Sequence, residues 1–391
     1  MNKPIKYIEL FSGIGAFSQA ISNIDGVESQ CVFAADNDEL CAKVFSDNYH
    51  MDSLFDLVTD DKERIPSHDF CFFSPPCQAF SKSGKQLGFE EARGTLIYEV
   101  FKILEKHRPK YILMENVRNL ANHDGGNTMR VILDSIHNLG YRTPNEPIIL
   151  SPHYFGIPQT RDRVFLPGIY DPEHVDEPIN FDFGEFKKKE QCSVDNIILP
   201  EYNDDPKLKI SPEEEHILDA WDAFYQGIDL KVIGFPIWSK YFWELDETDD
   251  MPEWKKDFIR KNKALYERNK DFIDKWYVDY NVDEFNDTQR KFEWQAGTKI
   301  KSVWEGVIQS RPSGLRVKAP TTLPALVAIV QIPIIGRLKR RLSVAECALL
   351  QSFPKDFILN VPELIAYRQL GNSINVLTLQ KVTEKLLNYE V

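Results

Sequence analysis

The sequence predicts an α/β fold: a mostly parallel sheet covered by helices on both faces, joined to a smaller domain of different character. Three observations predict it. Over the first 180 residues, short apolar runs alternate with helical periodicity. Those runs are near-continuously apolar, as strands buried on both faces are. From about residue 181 the alternation stops, and tryptophans and charged helical stretches take over.

In order, KYIELF reads as a strand, and GAFSQAISNI as a helix that follows a glycine turn. CVFAAD is a second strand. NDELCAKVFSDNY is a second helix, with Leu40, Val44 and Phe45 on its apolar side. HDFCFFS, KYILMEN and RVFLPGIY continue the series of strands. The middle region holds Trp221, Trp238, Trp243, Trp254 and Trp276, all read as core residues rather than base-stacking platforms. Near residue 366 an apolar periodicity returns in AYRQLGNSINVLTLQKVTEKLL, a helix opened by Gly371-Asn372-Ser373. The expected division is therefore 1–180 with 366–391, and 181–365 between them.

With 391 residues the chain has length for a full core and two domains. No apolar run approaches a membrane span, and the N-terminus MNKPIKYIELF lacks the pattern of a signal peptide. Six cysteines occur without a CxxC pair, which argues against a zinc ribbon or a disulfide framework. A cytoplasmic protein with reduced thiols is expected. The net charge of −13 is unfavourable for a nucleic-acid partner, but its distribution is uneven. Residues 311–341 hold seven Lys or Arg and no acid, a stripe that points to an anionic partner.

Chemistry-bearing residues collect at the carboxyl ends of the strands, the edge where parallel α/β sheets place their ligand crevice. In FSGIGAF, Gly13 and Gly15 permit a tight turn and close approach of a ligand to backbone. Asp36 ends the second strand, where a carboxylate suits ribose hydroxyls. Phe17 stands near the place of the third glycine of a dinucleotide fingerprint, which favours an adenosine-bearing ligand without pyrophosphate. Cys77 follows Ser74-Pro75-Pro76, so the strand and two prolines fix the backbone before it, and a loop with Ser81, Ser83, Gly84 and Gly88 follows. This is the setting of a thiolate nucleophile, whereas Cys71, inside the strand, reads as an inert core thiol. Glu115 and Asn116 end the next strand. In QTRDRVF, alternation puts Gln159, Arg161 and Arg163 on one face, with Glu115 the carboxylate for the arginines to pair with.

This ordered set resembles the cytosine-5 DNA methyltransferase family: FSGIGAF, FAAD, FDLV, SPPCQAFSKSGKQLGFEEARGTLIYE, MENVRNL, QTRDRVF, RRLSVAECALLQSFP and QLGNSINV. The resemblance covers roughly the first 170 and the last 75 residues and is of the prokaryotic restriction–modification type. It implies a Rossmann-like class I methyltransferase fold with a target-recognition domain at 181–365. It also implies S-adenosylmethionine as cofactor, with no metal. Position by position, Phe11 would lie against the adenine and Gly13 and Gly15 at the methionine end. Asp36 would take the ribose, Asp56 the adenine amino group, and Asn372 and Ser373 would complete the pocket. Asn37 stands where the family often has an aromatic or apolar residue.

The resemblance further implies that Cys77 attacks C6 of a flipped-out cytosine, with Glu115 on N3 and the exocyclic amine, Arg163 on the O2 side and Arg161 orienting Glu115. Gln78, Ser81, Lys82, Lys85, Arg93 and Gln159 would contact double-stranded DNA. The expected enzyme is a monomer, nucleoid-associated while acting, with a companion restriction endonuclease but no stable complex with it. Three other readings stay open: the same chemistry on tRNA, a non-catalytic DNA-binding relative, and an NAD-dependent dehydrogenase, for which no hydride-relay histidine is evident.

Overall fold

The structure is a computed structural model that describes residues 3–76, 96–184, 192–230 and 233–389. The chain divides into two compact units, 1–190 with 348–391, and 191–347. Residues 348–365, expected in the middle region, thus belong to the first unit. Gln351 shows why: its side-chain amide donates to the carbonyls of Leu370 and Ser373, and its own carbonyl accepts from Val376 N. The return of helical periodicity at 366 marked a helix, and the boundary lies before it.

The first unit is built on a seven-stranded sheet. Its strands are β1 (Ile5–Leu10), β2 (Ser29–Ala35), β3 (Phe70–Phe73), β4 (Tyr111–Val117), β5 (Tyr141–Arg142), β6 (Ile148–Leu150) and β7 (Arg163–Tyr170). The order is β2-β1-β3-β4-β7-β5, with β6 also pairing β7. The four strands from β2 to β4 are parallel, as expected, but β7 runs antiparallel to β4, β5 and β6. The sheet is therefore mixed. An apolar run such as RVFLPGIY reads the same in either direction, so the strand was legible and its direction was not.

Six helices matter for the site: α1 (Ala16–Ser22), α2 (Glu39–Tyr49), α3 (Leu96–His107), α4 (Asn127–Asn138), α5 (Glu363–Asn372) and α6 (Val376–Leu387). Strand alternation sends Ile8, Leu10, Cys71, Phe73, Ile112 and Met114 into one core with Val100 and Ile103 of α3 and Ile132 of α4. Tyr7, Phe70 and Phe72 face the other way and surround Phe17 of α1, at ring-centroid distances of 5.4, 5.0 and 4.6 Å. Cys71 is fully buried, and burial pushes its thiol well above the ordinary value, which makes it inert. The helix expected to open at Gly371 is two helices. Asn372 ends α5, and Asn375 caps α6 through its side-chain oxygen to Thr378 N at 3.0 Å. No described helix is long and apolar enough to cross a membrane.

In the second unit, helices Pro212–Gly227, Glu253–Arg268 and Lys270–Asp279 accompany a six-stranded sheet. Trp221, stacked on Phe292 at 4.8 Å, and Trp276 are buried, as core tryptophans should be. Trp243, 38% exposed, and Trp254, 63%, are not. The basic stripe is also less bare than its local sequence suggests. Arg337 pairs with Asp195, Lys339 with Glu215, Arg341 with Glu214, and the buried Arg340 with Glu346 at 2.7 Å. Acids neutralise its last four cations, three of them distant in sequence and Glu346 just after the stripe.

Candidate active site

The carboxyl ends of β1 to β4 border a cavity of about 590 Å³ within the first unit. Its walls come from the turn after β1 (Phe11 to Ile14), from Asp36 and Asn37 after β2, from Ser74 to Pro76 after β3, and from Glu115 to Val117 in β4. Arg161, Arg163 and the α5–α6 junction (Gly371 to Ile374) complete them.

The cofactor-side residues show how the turn is held. Phe11 and Gly13 both have left-handed backbone, φ 59° and 52°, so the chain leaves β1 abruptly. Gly13 N donates to Asp36 Oδ2 at 2.8 Å, and Asp38 N donates to Asp36 Oδ1 at 2.9 Å. The carboxylate thereby ties the first turn to the end of β2. Burial pushes Asp36 up, with those two N–H groups opposing. A Cβ on Gly13 would meet nothing within 4 Å, so open space lies over its backbone. Gly15 lies off the cavity lining. A Cβ there would fall 2.1 Å from the Tyr49 ring, whose hydroxyl donates to Gly15 O at 2.8 Å.

Asp56 is not among the lining residues either. Its Oδ1 accepts from Val58 N at 2.7 Å, which braces the turn it stands in. Asn37 and Asn372 line the cavity and are exposed, and Ser373 lines it while its carbonyl is engaged by Arg161.

The catalytic side is organised by strand register. Phe73 pairs with Met114 in parallel β3 and β4, so the next residues, Ser74 and Glu115, come side by side. Ser74 Oγ donates to Glu115 Oε2 at 2.6 Å. Asn116 Nδ2 donates to the Pro75 carbonyl at 2.8 Å, which fixes the strand end two residues before Cys77. On the antiparallel side, Val117 pairs with Arg163, and Arg163 Nε lies 3.0 Å from Glu115 Oε1. Burial pushes the Glu115 carboxyl above its usual range, with Arg163, Ser74 and Arg161 pulling it down.

Arg161 acts on Glu115 through its charge and also reaches the α5–α6 junction. Its NH2 group donates to the carbonyls of Gly371 at 2.8 Å and Ser373 at 2.7 Å, and it is buried. The ion pair with Glu115 is made by Arg163, the first residue of β7. Gln159, expected to touch DNA, is fully buried. Cys77, Gln78, Ser81, Lys82, Lys85 and Arg93 lie outside the described residues.

Several lining residues were missed from sequence, Glu9 and Gln369 among them. Glu9 lines the cavity from inside β1, almost fully buried, and accepts from Phe17 N at 3.1 Å, Ser18 N at 3.0 Å and Ser18 Oγ at 2.6 Å. Burial raises its carboxyl to about 7. An acid inside an otherwise apolar strand was the available signal. Gln369 also lines the cavity, and no pattern in its helix marks it.

Four carboxylates, Glu9, Asp36, Asp38 and Glu115, line this space, a donor set that suits a cationic ligand with hydroxyls, and the open backbone at Gly13 suits close approach. Among the described residues no group of three or more His, Cys, Asp or Glu could hold a metal ion.

The family described as C-5 cytosine-specific DNA methylase matches residues 5–388. The chain is 30% identical over 474 residues to Type II methyltransferase M.AluI of Cellulosimicrobium cellulans, covering 96% of this chain and 90% of that protein. It is 28% identical to Type II methyltransferase M.HpaII of Haemophilus parainfluenzae, covering 99% and 90%. Among solved structures, the Entamoeba histolytica methyltransferase EhMeth matches with a TM-score of 0.55 at 17% identity, covering 99% of both chains. A Spodoptera frugiperda DNMT2 mutant matches with 0.55 at 19%, covering 98% and 100%. These two show a shared fold.

Proposed function

The chain belongs to the C-5 cytosine-specific DNA methylase family, and from that premise we propose that it methylates C5 of a cytosine extruded from a specific duplex DNA sequence. The observation that carries this reading is Glu115, a buried carboxyl held between Ser74 and Arg163 beside the strand end that leads to Cys77. S-adenosylmethionine, held by Phe11, Gly13, Asp36, Asn37 and Ser373, supplies an electrophilic methyl group when bound. Gly15 and Asp56 act on that pocket from behind its lining. The Type II names of the relatives support a restriction–modification role. A cytoplasmic monomer working beside, but not bound to, a companion endonuclease is part of the same reading.

The chain's own residues perform the rest. C5 of cytosine is unreactive while the ring is aromatic. The Cys77 thiolate adds to C6, forming the C–S bond, while Glu115 gives a proton to N3 and accepts from the exocyclic amine. C5 becomes an enamine carbon and takes the methyl group. Loss of the C5 proton to a base then expels Cys77 as thiolate, and return of the N3 proton to Glu115 restores the ring. Arg163 holds Glu115 and the O2 side, and Arg161 holds the α5–α6 junction. The base must leave the duplex to reach Cys77, because a stacked, paired base does not expose C6 to a thiolate. Gln78, Ser81, Lys82, Lys85 and Arg93 close over the DNA.

Bisulfite sequencing of DNA from cells expressing the chain tests the reading. Methylated cytosine in one sequence context is expected. No methylation in DNA, or label from cofactor found only in tRNA, overturns it. A Cys77→Ser chain that retained full methyl transfer would overturn the covalent step, and a 5-fluorocytosine duplex should trap the adduct.

A further inference from the structure

One face of the sheet in the second unit is core: Phe292, Trp294, Ile308, Leu315 and Val317 all point into it. Strand alternation puts the opposite parity on the other face. There Glu293 and Gln309 both pair with Arg316 in register, and Val307 pairs with Lys318. The hairpin turns at Arg311 and Gly314, whose left-handed φ of 114° and lack of a side chain let it pass over Lys291, 2.4 Å from where a Cβ would stand.

This face carries an unbalanced set of charges. Arg311 NH2 lies 2.7 Å from Glu293 Oε2, and Arg316 Nε lies 2.9 Å from the same oxygen. Gln295 donates to Glu293 Oε1. One carboxylate thus serves two guanidiniums, with Lys318 beside them. Burial and the neighbouring arginines push the Lys318 ammonium down, with Glu293 opposing. The last four cations of the basic stripe have their own acids, so its surplus charge is concentrated here. Gln309 is 8% exposed, and its side-chain carbonyl has no hydrogen-bond partner among the described residues; neither has Arg311 Nε. Half-buried cations in excess and an unpartnered buried acceptor are costly unless a partner satisfies both.

That partner must accept from arginine forks and donate to an amide oxygen. Phosphate does only the first, and Glu293 would repel it. The edges of bases in the major groove do both: guanine offers two acceptors spaced for an arginine fork, while adenine and cytosine offer amino donors. Glu293 holds both forks in fixed orientation, as a reader of base edges requires. Resting on the DNA-methylating reading above, we propose that Arg311, Arg316 and Gln309, oriented by Glu293, form a base-reading site for duplex DNA and set the sequence context of methylation, guanine being the base the arginines take.

The test uses the full chain, a pool of duplexes with randomised sequence around a cytosine, and bisulfite sequencing. In Arg316→Gln and Gln309→Ala chains, discrimination at a single base position should fall roughly 10- to 100-fold. Arg311→Lys and Arg316→Lys keep a cation against Glu293 and so preserve the fold where the neutral variants fail; they should relax the same positions, because lysine lacks the fork. Arg268→Gln, at an exposed arginine paired with Asp229, should leave the context as it was. Two results overturn the inference: an unchanged context in all the site variants, or a loss uniform across the pool with a shallower salt dependence, which marks phosphate contacts. An unsubstituted chain that methylates no duplex overturns instead the reading on which it rests.

Discussion

Arg163 Nε lies 3.0 Å from Glu115 Oε1 while Ser74 Oγ holds the other oxygen, so the buried carboxyl is gripped from both neighbouring strands. The grip follows from topology: β3 runs parallel to β4, and β7 runs antiparallel on its other side. Burial favours the neutral acid, and the two partners favour the carboxylate. A group set between opposed influences of this kind is suited to move a proton at N3 of a pyrimidine.

Glu115→Gln should slow methyl transfer roughly 100- to 10,000-fold, because an amide has no acid proton to give. Ser74→Ala removes a hydrogen bond that stabilises the ionised form, so the ionisation assigned to Glu115 should move to higher pH. The pH dependence of kcat/KM for the two chains checks both statements. An unmoved profile in Ser74→Ala would show that Glu115 is not the titrating group.

Arg161 joins the strand side of the site to the α5–α6 junction through the Gly371 and Ser373 carbonyls. Arg161→Ala strands the Gly371 carbonyl and leaves that of Ser373 to Gln351 alone, and should cost about 2 kcal/mol of stability. Arg161→Lys should recover part of it, since one ammonium cannot reproduce the planar fork. Denaturant unfolding measures the first effect. A weaker cofactor affinity in both variants, read by titration calorimetry, is the second expected outcome, because Ser373 lines the cavity.

The strands from β1 to β4 and the residues at their carboxyl ends were legible because buried parallel strands announce themselves by composition, and ligand crevices by position. Two kinds of information were not. Strand direction leaves no mark on an apolar run, so the antiparallel course of β7 could not be read, although the pairing of Arg163 with Glu115 was. Long-range charge pairing is equally silent: Arg337, Lys339 and Arg341 look uncompensated until Asp195, Glu215 and Glu214 arrive from elsewhere.

The two glycines after β1 should respond unequally to alanine. Both have left-handed backbone, which costs an alanine about 1–2 kcal/mol. At Gly13 nothing else is met, and the loss should stay near that value. At Gly15 the new methyl overlaps the Tyr49 ring, so the total should reach about 3 kcal/mol or more. A Gly15→Ala, Tyr49→Ala pair should recover the overlap but not the backbone strain. Unfolding of the three variants, compared at one pH, separates the two contributions.

Glu9 makes the stability of the first unit depend on pH near neutrality. Its carboxyl is raised to about 7 from 4.5, chiefly by burial, with Asp36 adding to the rise and Ser18 and Phe17 N opposing it. The folded chain therefore holds this proton more tightly than the unfolded chain. Protonated Glu9 favours folding fully below 4.5, and that contribution is lost as pH rises through about 7. The loss amounts to roughly 3 kcal/mol once the group is ionised. Glu9→Gln keeps a carbonyl acceptor for the N-terminus of α1 and carries no charge at any pH. Denaturant unfolding at pH 5, 7 and 8.5 should therefore show the substituted chain losing less stability than the parent across that window. Parallel curves would mean that Glu9 stays ionised in the folded protein, and that the hydrogen bonds from Phe17 and Ser18 outweigh its burial.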